Sequence, residues 1–280
     1  MQFRATATIL AVLALGCAPK GSYDGKLIDP VTGKPAAGVV VVASSTTTPT
    51  PSCMEIEATT GEDGAFRIEG LCGSGEYHLA LRDKTLILED VGAIQGGIPA
   101  TGTVELDLWK NAPGEGIWTW SGGEFSKMRT IAEIGVDKIW NTEEEVVYPD
   151  TLPTRVVNVG DDGWLVFAGE KFTERYTFLP LIESGARKLG SSKEMHRSEP
   201  WWYVGTEFAS DTEFTRKEAQ IDASKVKALT QGDTHLRFMR GDAVPNGFYV
   251  MYYEGFRDDP RYKKMLMVNM GAALKAPGAE

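Results

Sequence analysis

Residues 54–70, MEIEATTGEDGAFRIEG, hold a strand-like run, a Gly/Asp turn and a second run in which Phe66 and Ile68 alternate with Arg67 and Glu69. That period of two is the mark of a half-buried strand, and the stretch reads as a hairpin. A turn centred on Glu62 and Asp63 sets Cys53 opposite Cys72, while one centred on Asp63 and Gly64 moves the partner of Cys53 to Ser74. Either register leaves the two cysteines near enough for a disulfide, which the hairpin reading predicts. As metal ligands the pair would supply only half of a zinc site.

Working outward, the chain from Ser22 to Trp109 continues as short strands between turn signals: SYDGKLID, VVVVASS, the hairpin, YHLALRD, KTLILEDV and TVELDLW. Tyr77, Leu79 and Leu81 share one strand face, as do Val104, Leu106 and Leu108. About seven strands at this spacing predict a β-sandwich. Phe66 and Tyr77 read as core anchors, His78 as a surface position, and TTTPTP at 46–51 as a solvated connection.

Three segments, GKLIDPVTGKPAAGVVV, TTGEDGAFRIEGL and GSGEYHLAL, resemble the carboxypeptidase regulatory-like (transthyretin-like) domain over residues 25–81. The resemblance implies an Ig/transthyretin-like sandwich. It implies little about function, because such modules serve as spacers, appendages and binding domains.

The N-terminus is organised differently. Arg4 precedes an apolar run ending at Leu15 and small residues leading to Gly16, which is a signal-peptide layout over 1–16. The run is too short to span a bilayer. LALGC, residues 13–17, resembles the bacterial lipobox, which implies that Cys17 is acylated and becomes the first mature residue. Ala14 stands where that family most often has leucine. Ala18 stands where aspartate would resemble an inner-membrane retention signal, so the outer membrane is favoured. Residues 17–21 then form a tether, and the membrane becomes a partner through the N-terminal lipid.

The net charge is −10, and removal of residues 1–16 takes one arginine, leaving 28 basic against 39 acidic residues and a net of −11. Such a surface repels phosphate backbones, so nucleic acid is excluded as a partner.

KNAPGEG at 110–116 reads as a Pro/Gly linker. Beyond it, GIWTW, TRVVNV, GWLVFAG, RYTFLPL, WWYVGTEF, HLRFM and FYVMYY read as strands rich in aromatic and branched residues. FSKMRTIAEIG and DASKVKALTQG have helical character, the second with Asp222 as cap and Gly232 as stop. The expected fold is therefore mainly β: a seven-stranded sandwich at 22–109, then a β-rich domain at 117–275 with one or two short helices and a tail at 276–280.

HRSE, His196 to Glu199, resembles the zinc pair of metallocarboxypeptidases, with His235 as the third ligand. The 35 residues between Glu199 and His235, in a β-rich region, are too few for that family's large α/β domain, and the metal site is rejected. No H-E-x-x-H, G-x-S-x-G or phosphate-binding loop is present, and nothing implies a cofactor. Asp161–Asp162 and Asp258–Asp259 read as turns rather than calcium ligands. Arg240–Gly241–Asp242 reads as a β-turn rather than an adhesion signal. On a strand, Trp202 faces away from Trp201 and Tyr203, so one face is core and the other is a possible ligand contact.

The sequence thus points to a lipid-anchored envelope protein with a non-enzymatic binding or structural role, its partner an envelope protein or a glycan. The alternatives are an envelope hydrolase with its site in the C-terminal domain and a carbohydrate-binding module that uses exposed aromatics.

Overall fold

The computed structural model describes residues 20–45, 47, 53–73, 75–129, 132–138, 144–150, 156–185, 201–210, 213–259 and 262–271, and the backbone of 187–188 and 196–197. Cys17, Glu199 and most of the TTTPTP stretch lie outside these residues. The chain divides into two units, 1–109 and 110–280, at the start of the Pro/Gly segment. Among the described residues no helix is long and apolar enough to cross a membrane.

The first unit contains β1 (Lys20–Ile28), β2 (Val40–Ser44), β3 (Glu55–Thr59), β4 (Ala65–Cys72), β5 (Glu76–Leu81), β6 (Leu86–Leu88), β7 (Ile94–Gln95) and β8 (Thr103–Lys110). They form two four-stranded sheets, β4-β1-β8-β6 and β3-β2-β5-β7. Leu27, Phe66, Ile68, Leu106 and Leu108 from the first sheet meet Val41, Ala43, Tyr77, Leu79 and Leu81 from the second in one core. This is the expected sandwich, with the two-residue β7 added. His78 is exposed between buried Tyr77 and Leu79. The first strand begins at Lys20, inside the segment read as tether.

The hairpin expectation is corrected. β3 pairs with β2, and β4 pairs with β1, so the two strands lie at edges of opposite sheets and the turn between them is an arch. The physical reason is burial: Ile56 and Ala58 pack into the same core as Phe66 and Ile68, which a flat two-stranded hairpin would leave half exposed. Gly64 permits the arch. Its φ is 76°, and a Cβ there would stand 2.5 Å from the Leu27 carbonyl oxygen. The predicted disulfide is present, with Cys53 and Cys72 Cα atoms 5.8 Å apart, and it joins sheet to sheet.

The second unit runs through β9 (Gly116–Ser121), β10 (Glu124–Lys127), β11 (Ala132–Lys138), β12 (Glu145–Pro149), β13 (Val157–Val159) and β14 (Trp164–Ala168), then α1 (Glu170–Glu174) and β15 (Tyr176–Ser184). It continues with β16 (Arg187–Lys188), β17 (His196–Arg197), β18 (Trp201–Val204), β19 (Thr206–Phe208), β20 (Phe214–Arg216), β21 (Val226–Gln231), β22 (Thr234–Arg240), β23 (Gly247–Tyr253) and β24 (Lys264–Met270). A five-stranded sheet has the order β10-β9-β14-β22-β21. A seven-stranded one has the order β12-β11-β24-β23-β15-β18, with β13 also on β24.

Alternation along β23 shows how the layers stack. Tyr249 and Met251 pack with Leu165 and Phe167 of the five-stranded sheet, while Phe248 and Val250 point the other way, into a cluster with Ile134, Leu181, Val204, Met265 and Met267. Both faces of the larger sheet are therefore buried. Its end strands, β12 and β18, come side by side, so the sheet curls around that second cluster.

Two helix expectations are corrected. FSKMRTIAEIG contains the end of β10 and the start of β11, because Ala132 and Ile134 fill the curled sheet's cluster in strand alternation. In DASKVKALTQG the cap is real, with the Ser224 N–H donating to Asp222 Oδ1 at 3.1 Å, but it opens only a 3-10 turn, Ala223–Lys225. β21 follows because pairing with β22 satisfies its backbone from Val226 to Gln231. The short α1 falls outside both segments with helical character.

Candidate functional site

The sequence turns sharply at Gly169, whose φ of 94° ends β14 and opens α1. Its N–H donates to the His235 carbonyl at 2.8 Å, which ties α1 to β22. The helix carries Lys171 and Phe172, Arg175 caps its C-terminus, and Tyr176 then opens β15 opposite Tyr253 of β23. A corner of half-buried tyrosines results.

Tyr176 and Tyr253 have ring centroids 6.0 Å apart at 52°, and Tyr253 and Tyr262 are 4.7 Å apart at 50°. Phe172 stacks on Tyr176 at 4.9 Å. The Lys171 ammonium lies 3.2 Å from the Tyr262 centroid and 4.8 Å from that of Tyr253. Arg175 donates to the Tyr253 hydroxyl at 3.4 Å, and that bond pushes its pKa up. Burial, then the Tyr262 and Tyr253 hydroxyls, push Tyr176 above the usual phenol value. Thr177 donates to Glu254 at 2.8 Å on the rim. Aromatic faces at this tilt, edged by charged groups, form a surface that accepts a ligand's apolar face or cation and its hydrogen-bonding groups together.

A second feature is a shallow cleft of about 180 Å³ lined by Asn111, Glu115, Gly169, Asp233, Thr234 and His235. That volume is below the roughly 300–1,000 Å³ of most ligand pockets. One wall is pinned: Lys127 donates to the Glu115 carbonyl at 3.2 Å, and the Trp118 indole to the Gly114 carbonyl at 2.9 Å. The cleft offers an imidazole and two carboxylates.

The residues singled out from sequence fare differently. Trp201 and Tyr203 face one way and Trp202 the other, as strand alternation requires. Tyr203 is fully buried against Phe208 and is a core residue, which corrects its reading as a ligand contact. Trp201 packs half-buried on the same cluster, and Trp202 meets Phe248 edge-on at 6.2 Å inside the curled sheet. The three form no flat platform. His196 lies on the small β16–β17 ladder and His235 on the five-stranded sheet, while Glu199 lies outside the described residues. No group of three metal-ligating side chains occurs among the described residues.

Arg240 and Asp242 bond each other, at 3.0 and 3.3 Å, in a 3-10 turn at Gly241–Ala243. Asp161–Asp162 sit in the turn closed by the Gly163 N–H on the Gly160 carbonyl, and Asp258–Asp259 in turns on Gly255. The tyrosine corner escapes sequence reasoning because 171–176, 253 and 262 are far apart in the chain. FYVMYY, which reads only as a strand, is the available signal.

No protein-family model matches the chain, and no curated protein matches it. Among solved structures it is similar to a Bacteroides uniformis protein described as a "putative carbohydrate binding protein". That similarity has 10% identity and a TM-score of 0.26, over 84% of this chain and 88% of the other. At that score the likeness carries no argument about fold or function.

Proposed function

We propose that this is an exported lipoprotein, acylated at Cys17 and held by its lipid on the outer membrane, whose C-terminal unit is a non-enzymatic binding module with a glycan as its ligand. The leader layout and LALGC support the anchor, and the sandwich, similar to the regulatory-like domain, serves as a spacer that begins at Lys20, close to the lipid. One observation carries the binding role: Tyr176, Tyr253 and Tyr262 stand half-exposed, the two ring pairs tilted near 50°, with the Lys171 ammonium over the faces of Tyr262 and Tyr253 and with Arg175 and Glu254 at the edge. Ring faces stack on the apolar face of a sugar while flanking charged groups bond its hydroxyls.

A glycan array read with wild type and with Tyr253→Ala tests the module. Signal lost in the variant, with its melting curve retained, is the expected result; no signal from wild type, or equal signal from both, overturns the glycan reading. Palmitate labelling that persists in Cys17→Ser overturns the anchor.

The second reading, an envelope hydrolase, is favoured by the gathering of His235, Glu115 and Asp233 in one cleft. It requires hydrolysis that disappears in His235→Ala while binding at the tyrosine corner persists.

A further inference from the structure

We propose that the tyrosine corner contains a cation subsite, formed by the faces of Tyr253 and Tyr262, which takes the ammonium group of a ligand by displacing Lys171. This deepens the binding reading and rests on it, naming the ligand class as one that carries a primary or quaternary ammonium, such as an amino sugar.

The occupant shows the preference of the site. Lys171 Nζ is in contact with the Tyr262 face, at 3.2 Å from its centroid, and is also within reach of Tyr253 at 4.8 Å, the two-ring arrangement by which aromatic cages hold ammonium groups. Arg175 does not compete for the faces, since it bonds the Tyr253 hydroxyl at the ring edge. The surroundings are mixed in charge: Glu254 is fixed by Thr177 beside the corner and Glu170 and Glu174 are close enough to Arg175 to raise its pKa, while Arg175 itself and exposed Lys263 and Lys264, which follow Tyr262, supply positive charge. The chain's net charge of −10 favours the approach of a cationic visitor.

Lys171 is also a weakly held occupant. It lies on a surface helix of five residues with no buried member, so its ammonium is held by contact with the two rings and not by enclosure. Its long stem lets the ammonium swing into water without moving the backbone. The exchange of one ammonium for another leaves the rings' electrostatics unchanged, so a ligand displaces the tethered resident through the further contacts it makes at the corner and through its concentration.

The test uses the full chain and tetramethylammonium as probe, followed by tyrosine chemical shifts or calorimetry, with glucosamine against glucose as a second pair. Wild type binds the probe weakly, and Lys171→Gln, which vacates the rings, binds it about tenfold tighter. In Lys171→Gln/Tyr262→Leu the gain is lost, while the melting curve shows that the chain is folded. Glucosamine binds in preference to glucose. The proposal is overturned if Lys171→Gln binds no tighter than wild type, or if Tyr262→Leu leaves the gain intact. Ammonium binding without any glycan signal would overturn only the glycan reading; glycan signal without ammonium binding would overturn only the cation subsite.

Discussion

The Tyr77 hydroxyl donates to the Cys53 carbonyl at 2.9 Å, and the hydroxyl oxygen accepts the Cys72 N–H at 3.0 Å. Tyr77 is fully buried on β5, so the disulfide is fastened from inside the core as well as by its own covalent bond. Because Cys53 and Cys72 flank the strands at edges of opposite sheets, the sandwich is stapled at the end away from the Gly64 arch.

That arrangement predicts two separable losses. Cys53→Ser with Cys72→Ser removes a crosslink over a sequence separation of 19, which lowers stability by about 3 kcal/mol. Tyr77→Phe keeps the crosslink and removes both hydrogen bonds, with an expected cost of about 1–3 kcal/mol. Denaturant titration of the sandwich's transition, with and without reductant, measures both. A transition that reduction does not move would show that the core alone sets its stability.

What is legible in the sequence follows from where the information lies. Phe66/Ile68 and Tyr77/Leu79/Leu81 announce strands locally, since side-chain alternation is a property of each strand alone. Whether β3 and β4 pair or arch is not local: both outcomes keep the same alternation within each strand, and the arch depends on β1 and β2, distant in sequence, as the pairing partners. Ala132 and Ile134 mislead for the same reason, their strand state being fixed by β12 and β24. Alternation assigns Trp201 to Tyr203 to two faces correctly, but which face is covered depends on Phe208, Phe214 and Phe248. The tyrosine corner is illegible because its partners meet only after β15 and β23 pair at Tyr176 and Tyr253.

The Arg240–Asp242 pair predicts that this tripeptide is inert in adhesion. Asp242 is also held by Lys225 at 3.0 Å, and Gly241 is buried, where a Cβ would stand 2.0 Å from the Gly160 carbonyl oxygen. Gly241→Ala therefore pushes two backbone segments apart and is expected to cost about 1–3 kcal/mol. Asp242→Glu leaves cell adhesion unchanged; adhesion that depends on Asp242 in the folded protein would refute the sequestered geometry.

Alkali is expected to destabilise the chain through tyrosines that folding partly or fully buries. Burial pushes Tyr23, Tyr176, Tyr249 and Tyr252 above the usual phenol value of 10.0. With the folded pKa raised, the unfolded chain ionises first, so the stabilising contribution is full below pH 10.0 and is lost as pH rises through the folded values. Tyrosinate absorbance followed together with circular dichroism should show a late, cooperative titration step coincident with unfolding. A single smooth titration completed near 10.0 with the fold intact would contradict the burial of these rings.

Arg237 allows a last test, because its charge and its stem act in opposite directions. The side chain reaches from β22 to Phe167, over whose ring the guanidinium lies at 4.1 Å, and burial holds its pKa below the usual arginine value. The desolvation opposes the cation–π attraction, whereas the alkyl stem packs favourably throughout. Arg237→Met keeps the packing and removes the buried charge, so stability should hold or rise by up to about 1 kcal/mol. Arg237→Ala removes the stem and should cost about 1–2 kcal/mol. If methionine destabilises as much as alanine in thermal melts, the guanidinium itself contributes to stability, and the balance drawn between ring attraction and desolvation is wrong in sign.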